Sequence, residues 1–391
     1  TIPPLIKIIE KGTFFNCNKL ETVIFPENSE PEAIGVESFA KSGIRHMKIP
    51  KSVKVIDKDA FYSCKQLKSV NFNENSELIE IKSSAFSESA IEDIVLPPKL
   101  HAISSFAFAN CTNLKTISLA ENSELEVIRC NAFENSLVEC ISFSSRYIKL
   151  ETGWNNNLKK LNKIIIPPLN DQFIYKDEKY LLGKTDKNSD NYDIILFANR
   201  EITEAIIPSS IKIIQSYSFQ FCTKLETIKF SSDTNIERIE EGAFSDTNIK
   251  NIEIPSSVEY LGKRSFYNCK ELRTVIFPSD SHLSEIDEYA FYKTYINSIS
   301  FPPSLKKINK YALNFCKYLR TSHFSEDSDF LSISSFAFLC SNVKSISFPK
   351  NGFNLKNGWC KDLDLLTEIK ISPLNDQFIY KDEKYLLGKT D

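Results

Sequence analysis

The chain has 391 residues, of which 42% are hydrophobic and 25% are charged, which is the composition of a globular protein and not of a disordered one. Its formal net charge is −3, and lysines and glutamates alternate along the sequence without a basic cluster. Nucleic-acid binding usually needs such a cluster, so we expect no nucleic-acid partner. No apolar run approaches the roughly 18–20 residues of a membrane span, so membrane attachment would depend on a segment outside this sequence.

A long internal repeat organises the sequence. Residues 168–186, PLNDQFIYKDEKYLLGKTD, return unchanged at 373–391, at an offset of 205 positions. The same offset relates Phe61 to Phe266 and many other pairs between the two halves. A fixed self-similarity of this kind is typical of a stacked repeat array.

We therefore predict one continuous solenoid made of two copies of this repeat. The first copy covers residues 1–205 and ends in an irregular hairpin coil at about 168–200. The second copy, 206–391, is truncated. Because the chain begins and ends inside a repeat, we expect it to be a piece of a longer protein.

A shorter period of 23–24 residues runs through both copies. Its first phrase is apolar-x-x-apolar-x-apolar, as in Leu67-x-x-Val70-x-Phe72, and fifteen such phrases start between Leu20 and Leu366. The last two apolar residues of each phrase alternate with a polar one. This alternation predicts a strand with one buried face.

A second phrase lies between the strands. It is complete in Val53-x-x-Ile56-x-x-x-Ala60-Phe61-x-x-Cys64. In alternate coils, serine or threonine replaces the cysteine, so the regular cysteines recur every 47 residues. Coils of this length with this geometry indicate a leucine-rich-repeat solenoid, in which each coil buries its apolar edge against its neighbours.

One coil in each copy breaks the period. The strand that starts at Leu161 is followed by the next at Ile202, and apolar segments lie at 173–175, 180–182 and 194–197 between them. We predict a β-hairpin or a small three-stranded element that projects from the stack. The side chains that would form an exposed apolar patch on it are Phe173, Tyr175, Tyr180, Leu181 and Leu182.

Other departures from the period predict local distortion. Ser322 stands where a strand needs Ile or Val, and Leu313 replaces the usual phenylalanine. The segments around Trp154 and Trp359 lack the Ala-Phe-x-x-Cys phrase, which indicates a modified coil before each hairpin.

The ten cysteines do not indicate disulfides or a metal site. Two regular cysteines 47 residues apart would lie in every second coil, with Cα atoms ~9–10 Å apart, beyond the ~7 Å reach of a disulfide. No C-x2-C pair of the kind that binds zinc occurs. We interpret the six regular cysteines as small buried thiols beside the phenylalanines. The pattern does not place Cys130, Cys140, Cys340 and Cys360.

No catalytic motif, phosphate-binding loop or dinucleotide fingerprint is present, and the four histidines are scattered over different coils. Asp186-x-Asn188-x-Asp190 copies the first ligand positions of a calcium loop. It lacks the glycine and the distal glutamate of such a loop, so we interpret it as a solvated turn. We predict no enzyme activity, no cofactor and no metal.

The strand face that points away from the core is the candidate binding surface, since solenoids commonly bind partners on this sheet. A plain solvated sheet with mixed charges is the alternative interpretation. The residues of this candidate strand face are Glu21, Thr22, Arg45, His46, Lys68, Ser69, Glu92, Asp93, Lys115, Thr116, Glu226, Thr227, Lys250, Asn251, Arg273, Thr274, Arg320 and Thr321.

The complete coil phrase, apolar-x-x-I followed by A-F-x-x-C-x-x-L-x-x-I-x-I/F-P, resembles the BspA-like class of leucine-rich repeats. The sequence of the coils, rich in Asn, Lys, Ile and Phe, is similar to that of the protozoan, Trichomonas-like branch of that class. The class is abundant in surface proteins of trichomonads and of oral and gut bacteria. The resemblance implies a mainly β, right-handed, curved solenoid with short strands or 3₁₀ turns on its outer side.

The same resemblance implies a non-enzymatic adhesin or antigen, on the cell surface or secreted, that binds a host extracellular-matrix or cell-surface protein. The alternative is a cytoplasmic leucine-rich-repeat scaffold for protein–protein interaction, which the regular unpaired cysteines also fit. Self-association through the hairpins or the solenoid ends is a third interpretation.

Overall fold

The computed structural model describes residues 1–120, 122–375, 377–381 and 385–388. Within these residues the secondary structure consists of strands, bridges, turns and bends, without a helix.

The chain forms two compact units, Thr1–Leu181 and Leu182–Asp391. The predicted boundary between the two sequence copies, at 205/206, stays a prediction.

The first unit contains two kinds of strand, numbered here in chain order. Long strands come from the apolar-x-x-apolar-x-apolar phrase, and two-residue strands come from the apolar-x-x-Ile phrase. The long strands are β3 His46–Ile49, β5 Ser69–Phe72, β7 Asp93–Leu96, β9 Thr116–Leu119, β11 Cys140–Ser142 and β13 Lys163–Ile165. The short strands are β1 Ile8–Ile9, β2 Ala33–Ile34, β4 Val55–Ile56, β6 Glu80–Ile81, β8 Ala102–Ile103, β10 Val127–Ile128 and β12 Lys149–Leu150.

The second unit repeats this arrangement. Its long strands are β17 Glu204–Ile207, β19 Thr227–Phe230, β21 Asn251–Glu253, β23 Thr274–Ile276, β25 Ser298–Phe301, β27 Thr321–Phe324, β29 Ser345–Phe348 and β31 Glu368–Ile371. Its strands on the other side of the coil are β16 Ile194–Ala198, β18 Ile213–Ile214, β20 Arg238–Ile239, β22 Tyr260–Leu261, β24 Glu285–Ile286, β26 Lys307–Ile308, β28 Ser332–Ile333 and β30 Asn354–Leu355.

Most strands of the regular coils pair in parallel with their equivalents in the next coil, and the ladder of long strands is interrupted between β5 and β7 and between β23 and β25. In the first unit His46 of β3 faces Ser69 of β5, and Ala33 of β2 faces Val55 of β4. The leucine-rich-repeat solenoid fold predicted from the period is thereby confirmed. Fourteen of the fifteen predicted long strands form, and the first is reduced to a bridge at Thr22.

The core of each unit is a column of phenylalanine rings, one in most coils. The Phe61 ring lies 5.3 Å from that of Phe39 and 5.1 Å from that of Phe86, centroid to centroid, with nearly parallel planes. In the second unit Phe266 lies 5.3 Å from Phe244 and 5.4 Å from Phe291. All of these rings are fully buried.

A five-residue turn carries each core phenylalanine, and we call it the Ala-Phe turn. In residues 59–63, both ends of the turn have a left-handed backbone, with φ of 56° at Asp59 and at Ser63. The N–H of Phe61 donates to the carbonyl of Ala85 in the next coil at 2.7 Å. The turns therefore form a third inter-coil ladder of backbone hydrogen bonds, beside the two strand ladders.

The irregular coil contains the predicted hairpin. β14 Ile174–Lys176 and β15 Tyr180–Gly183 flank a turn in which Asp177 and Glu178 both have positive φ, as in a type I′ hairpin turn. In the second unit β32 Phe378–Lys381 and β33 Tyr385–Gly388 pair antiparallel.

The predicted exposed patch on this hairpin is wrong. Phe173, Tyr180, Leu181 and Leu182 are all buried, and Tyr175 is half-buried. The ring of Phe173 packs 5.9 Å from that of Phe143. The apolar residues of the hairpin coil therefore pack on the core and are shielded from solvent.

The predicted three-stranded projection is also wrong. The third strand, β16, pairs in parallel with β18 and belongs to the stack, with Ile195 and Phe197 fully buried. In its coil, β16 occupies the position that a short strand has in the regular coils.

Distortion around Ser322 does not occur. β27 keeps regular register, with Ser322 between Ile299 and Ile346 and its side chain buried. The backbone ladder does not depend on the side chain, and the rings of Phe324 and Phe330, 4.4 Å apart, pack beside it. Leu313 is likewise fully buried at a phenylalanine position of the core.

The predicted modified coil around Trp154 is confirmed. Gly153 and Asn157 have the positive φ of the two ends of an Ala-Phe turn. Trp154 therefore occupies the alanine position and Asn155 the phenylalanine position of that turn, and both are buried.

Phe61→Ala and Phe266→Ala should each lower the free energy of unfolding by ~3–5 kcal/mol, because each removes a fully buried ring between two others. Urea unfolding followed by circular dichroism measures this. Val95→Ala is the matched control, since Val95 is 66% exposed, and it should change stability by less than about 0.5 kcal/mol. An unchanged midpoint for both phenylalanine variants would contradict the core described here.

Candidate protein-binding strand face

The long strands display two columns of outward side chains, and the eighteen predicted strand-face residues all lie in them. Backbone bonds set the columns in register, since Lys68 N–H donates to Arg45 O and Lys115 N–H donates to Glu92 O, both at 2.8 Å. All eighteen side chains are exposed or half-buried. Their placement on one face in each unit agrees with the prediction, and their role in binding stays a prediction.

In the first unit the first column carries charges of both signs. Arg45 forms an ion pair with Glu21 at 2.9 Å, and Lys68 approaches Glu92 at 3.8 Å. Lys115 continues this column beyond Glu92. These pairs are more than half exposed, so each contributes at most about 1 kcal/mol to stability.

The second column of the first unit is polar, and among the predicted residues its one carboxylate is that of Asp93. His46 Nδ1 lies 2.9 Å from Ser69 Oγ, and the hydroxyl of Thr116 donates to Asp93. These contacts join neighbouring coils side by side and fix the rotamers of short side chains. The column is therefore an ordered polar surface.

The second unit differs in its second column, which is rich in hydroxyls and amides. Thr227 faces Asn251, and Asn251 faces Thr274 in adjacent strands. Further along, the hydroxyl of Ser345 donates to Glu368 at 2.7 Å and lowers the pKa of that carboxyl. In the first column of this unit, Lys250 forms an ion pair with Glu226 of the preceding coil at 2.6 Å. Arg273 forms an ion pair with Glu271, two residues earlier in the chain, at 3.5 Å.

A third outward position, two residues after the second column, was missed by the sequence reasoning. It holds the exposed apolar side chains Val95, Ile206 and Ile276, which are 66%, 55% and 48% exposed. The sequence pattern does indicate this position, because the middle residue of an apolar-x-apolar strand points outward even when it is apolar. In the first unit Val95 lines, with Asp93 and Thr116, an open depression of about 580 Å³.

Half of the ten cysteines lie in the core. All ten are free, and five of the six regular ones are buried: Cys64, Cys111, Cys222, Cys269 and Cys316. The sixth, Cys17, was predicted to be buried but is exposed, because it lies in the first coil.

Four of the five buried thiols lie beside a hydroxyl of the preceding coil, and the fifth, Cys222, lies 3.8 Å from the guanidinium of Arg200 instead. Cys269 Sγ donates to the carbonyl of Phe244 at 3.0 Å and lies 3.3 Å from Thr247 Oγ1. Burial raises the pKa of Cys111 to about 11 and that of Cys269 and Cys316 to about 12. These thiols are therefore protonated and unreactive at neutral pH.

The four cysteines that the pattern did not place lie nearer the surface. Cys130, Cys140 and Cys340 are half-buried, and Cys360 is exposed. Cys140 lies in the second column of the strand face, between Thr116 and Lys163 in register.

Metal-binding geometry is not found in the described part of the chain, where no group of three or more His, Cys, Asp or Glu side chains is placed to hold an ion. At the candidate calcium segment, Asp186 accepts a hydrogen bond from the N–H of Asn188 at 2.9 Å, and both residues are exposed. This is the geometry of a local turn. The described residues also hold no helix that is long and apolar enough to span a bilayer.

Comparison with known families gives one match, described as "BspA type Leucine rich repeat region (6 copies)", over residues 1–89, 79–176, 193–320 and 279–381. These ranges cover most of the sequence. The chain belongs to the BspA-type leucine-rich-repeat family. Proteins of this family are repeat proteins that are typically non-enzymatic. No curated protein matches the sequence.

Several solved structures resemble this one. The pneumococcal vaccine antigen PcpA matches with a TM-score of 0.62 and 21% identity, over 84% of this chain and 79% of the antigen. A leucine-rich cell surface protein from Faecalibacterium prausnitzii matches with a TM-score of 0.57 and 19% identity, over 90% and 85% of the two chains. A leucine-rich-repeat protein from Bacteroides ovatus matches with a TM-score of 0.57 and 21% identity, over 95% and 91%. At these identities the likeness shows the fold, and the protozoan branch stays a prediction.

Charge reversal on the strand face should leave the fold intact. Lys68→Glu breaks an exposed ion pair, and Arg273→Glu breaks an exposed ion pair and a contact with the Tyr295 ring at 6.0 Å. The unfolding midpoint should therefore move by no more than the equivalent of about 1 kcal/mol. Thermal unfolding measures this. Loss of the cooperative transition in either variant would show that the residue is not solvent-facing.

The buried thiols should make the protein less stable at alkaline pH. Above about pH 8.5 a thiol ionises in the unfolded chain while Cys269 and Cys316 stay protonated in the fold, so rising pH favours unfolding. Between about pH 8 and about pH 10, each thiol should remove on the order of 1–2 kcal/mol. Cys269→Ala/Cys316→Ala should therefore lose less stability over this range than wild type in urea titrations.

Cys17→Ala is the control for this comparison, since Cys17 is exposed. It should keep the pH dependence of wild type. An equal loss of stability in the double variant and in wild type would contradict the assignment.

Proposed function

We propose that this chain is a non-enzymatic protein-binding solenoid of a cell surface, and that its strand face contacts a host extracellular-matrix or cell-surface protein. The observation that carries the proposal is the pair of ordered, outward columns on each unit, bordered in the first unit by the exposed side chain of Val95. An exposed apolar side chain with polar groups around it suits the apolar centre and polar rim of a protein interface.

Two similarities support the surface location. One structural relative is an antigen and another is a leucine-rich cell surface protein, by their printed descriptions. Both share the fold with this chain over most of its length.

A cytoplasmic scaffold is the second candidate. It is favoured by the ten free cysteines, of which five are buried and protonated, because such a set is common in a reducing compartment. Both candidates use the strand face for binding and differ in the partner.

The test is binding of the purified chain to intact epithelial cells and to immobilised matrix proteins. The strand-face variant Lys68→Glu/Lys115→Glu is compared with Lys51→Glu/Lys99→Glu, which changes net charge by the same amount at exposed residues outside the columns. We expect saturable binding of wild type and of the control, and binding at least about tenfold weaker for the strand-face variant.

The outcomes separate the candidates. Equal binding of the two variants would exclude the strand face of the first unit as the contact surface. Absence of binding by wild type to cells and to every matrix protein would favour the scaffold. Deleting residues 171–199 is not a usable variant, since it would remove β16 and the buried Phe197.

A further inference from the structure

The Ala-Phe turns of the second unit carry a cluster of surface aromatic rings, which we call the aromatic patch. It consists of Tyr267, Tyr289, Tyr292, Tyr311, Phe315 and Phe336, all half-buried. The rings form a connected set: Tyr267 stacks on Tyr292 at 4.8 Å, and Tyr289 stacks on Tyr311 at 4.9 Å. Phe336 continues the second stack at 5.5 Å from Tyr311.

Four cations in three successive coils border these rings, and Lys361 lies 5.8 Å from the ring centroid of Phe336 beyond them. Arg264 lies 5.8 Å from the ring centroids of both Tyr267 and Tyr289, and Lys293 lies 5.2 Å from that of Tyr292. Lys310 and Lys317 lie at 5.0 Å and 5.9 Å from the next aromatic rings.

These cations are not neutralised by the protein. Among the described residues, none of the four has a carboxylate within ion-pair distance, and the neighbouring ion pair is Lys263 with Glu288 at 3.6 Å. The patch therefore carries a positive stripe that crosses successive coils.

The other copy of the repeat supplies an internal comparison. At the same offset of 205 residues that preserves the core phenylalanines and cysteines, Arg264 corresponds to Asp59 and Lys293 corresponds to Glu88. Two rings of the patch, those of Tyr289 and Tyr292, correspond to Ser84 and Ser87, and Lys310 corresponds to Ser105. The fold does not require the patch, because the first unit forms the same turns without it.

Three rings of the patch stand at a turn position that has a left-handed backbone. Tyr289, Tyr311 and Phe336 have φ of 58°, 61° and 62°, a conformation that is uncommon for large side chains. Glycine occupies this position at Gly242, and Phe106 occupies it in the first unit with φ of 63°. The turn therefore accepts a large ring without requiring one.

The chemistry of the exposed groups defines the partner. Each tyrosine stacks on a neighbouring ring, which reduces the ring surface on which nucleic-acid bases could stack. The phenol hydroxyls of Tyr267, Tyr289, Tyr292 and Tyr311 have no hydrogen-bond partner among the described residues. A phenol hydroxyl both donates and accepts hydrogen bonds, which suits a ligand that carries anionic oxygens and hydroxyls together.

We propose that the aromatic patch with its four cations binds a linear sulfated polysaccharide that runs across the coils. The cations attract the sulfates, and the tyrosine hydroxyls bond the sugar hydroxyls and the sulfate oxygens. A regular row of positive groups, one or two per coil, fits a ligand with a regular row of negative groups. This site is on the turn side of the second unit, separate from the strand face, and does not depend on the proposed strand-face function.

The test is equilibrium binding of fluorescein-labelled heparin to the whole chain, followed by anisotropy. The charge variant Arg264→Asp/Lys293→Glu introduces the residues that the first copy has at these positions, so the turn is known to accommodate them. We expect its affinity for heparin to fall at least about tenfold, and we expect wild-type affinity to fall steeply as salt rises from about 50 to about 300 mM. Lys51→Glu/Lys99→Glu, with the same change in net charge, should bind as wild type does.

A second variant tests the rings without changing charge. Tyr289→Ser/Tyr292→Ser again introduces the residues of the first copy, and it should bind heparin at least about threefold more weakly. Circular dichroism shows whether each variant is folded.

Three outcomes would overturn the proposal. They are equal affinity of wild type and the folded charge variant, wild-type affinity in the folded tyrosine variant, and tighter binding to polyglutamate or to single-stranded poly(U) than to heparin at matched charge. Tighter binding to polyglutamate would assign the patch to an acidic protein segment, and tighter binding to poly(U) would assign it to RNA.

Discussion

The stacking of each coil on the next is the interaction on which the whole structure depends. A single coil has one buried ring and a few apolar strand residues, which is too little to form a core of its own. Phe61 is buried only because Phe39 and Phe86 lie on either side of it. Three ladders of backbone hydrogen bonds hold these rings in line, so the fold tolerates wide variation at every outward position.

The sequence predicted the repeated parts of the fold because their signal is summed over many coils. The alternation in Leu67-x-x-Val70-x-Phe72 recurs often enough to place fourteen long strands. The wrong predictions concern segments outside the regular repeat, whose burial depends on the elements that pack against them. Phe173 and Leu182 were predicted to be exposed, since alternation alone does not show which element covers a hairpin. The left-handed ends of the turns were not foreseen because residues as different as Asp59 and Tyr289 occupy them.

The candidate binding face was predictable in position but not in detail. The apolar residues of each strand define its inner side, so Lys68 and Arg273 had to point outward. What the pattern does not contain is the pairing between coils, such as Arg45 with Glu21, or the exposed Val95 beside them. Those depend on rotamers and on the spacing between columns. The aromatic patch was missed for a related reason, since its tyrosines come from separate coils and meet only in the stack.

The alternation of thiol and hydroxyl along the core has a consequence for how such proteins change length. Cys64 lies against Ser42 and Cys111 against Ser89, each cysteine facing a hydroxyl of the preceding coil. Removing one coil would put two cysteines, or two hydroxyls, in neighbouring layers, whereas removing two would keep the alternation of thiol and hydroxyl. The heritable module of this solenoid is therefore the coil pair, and gene duplication or loss in such proteins should proceed in even numbers of coils.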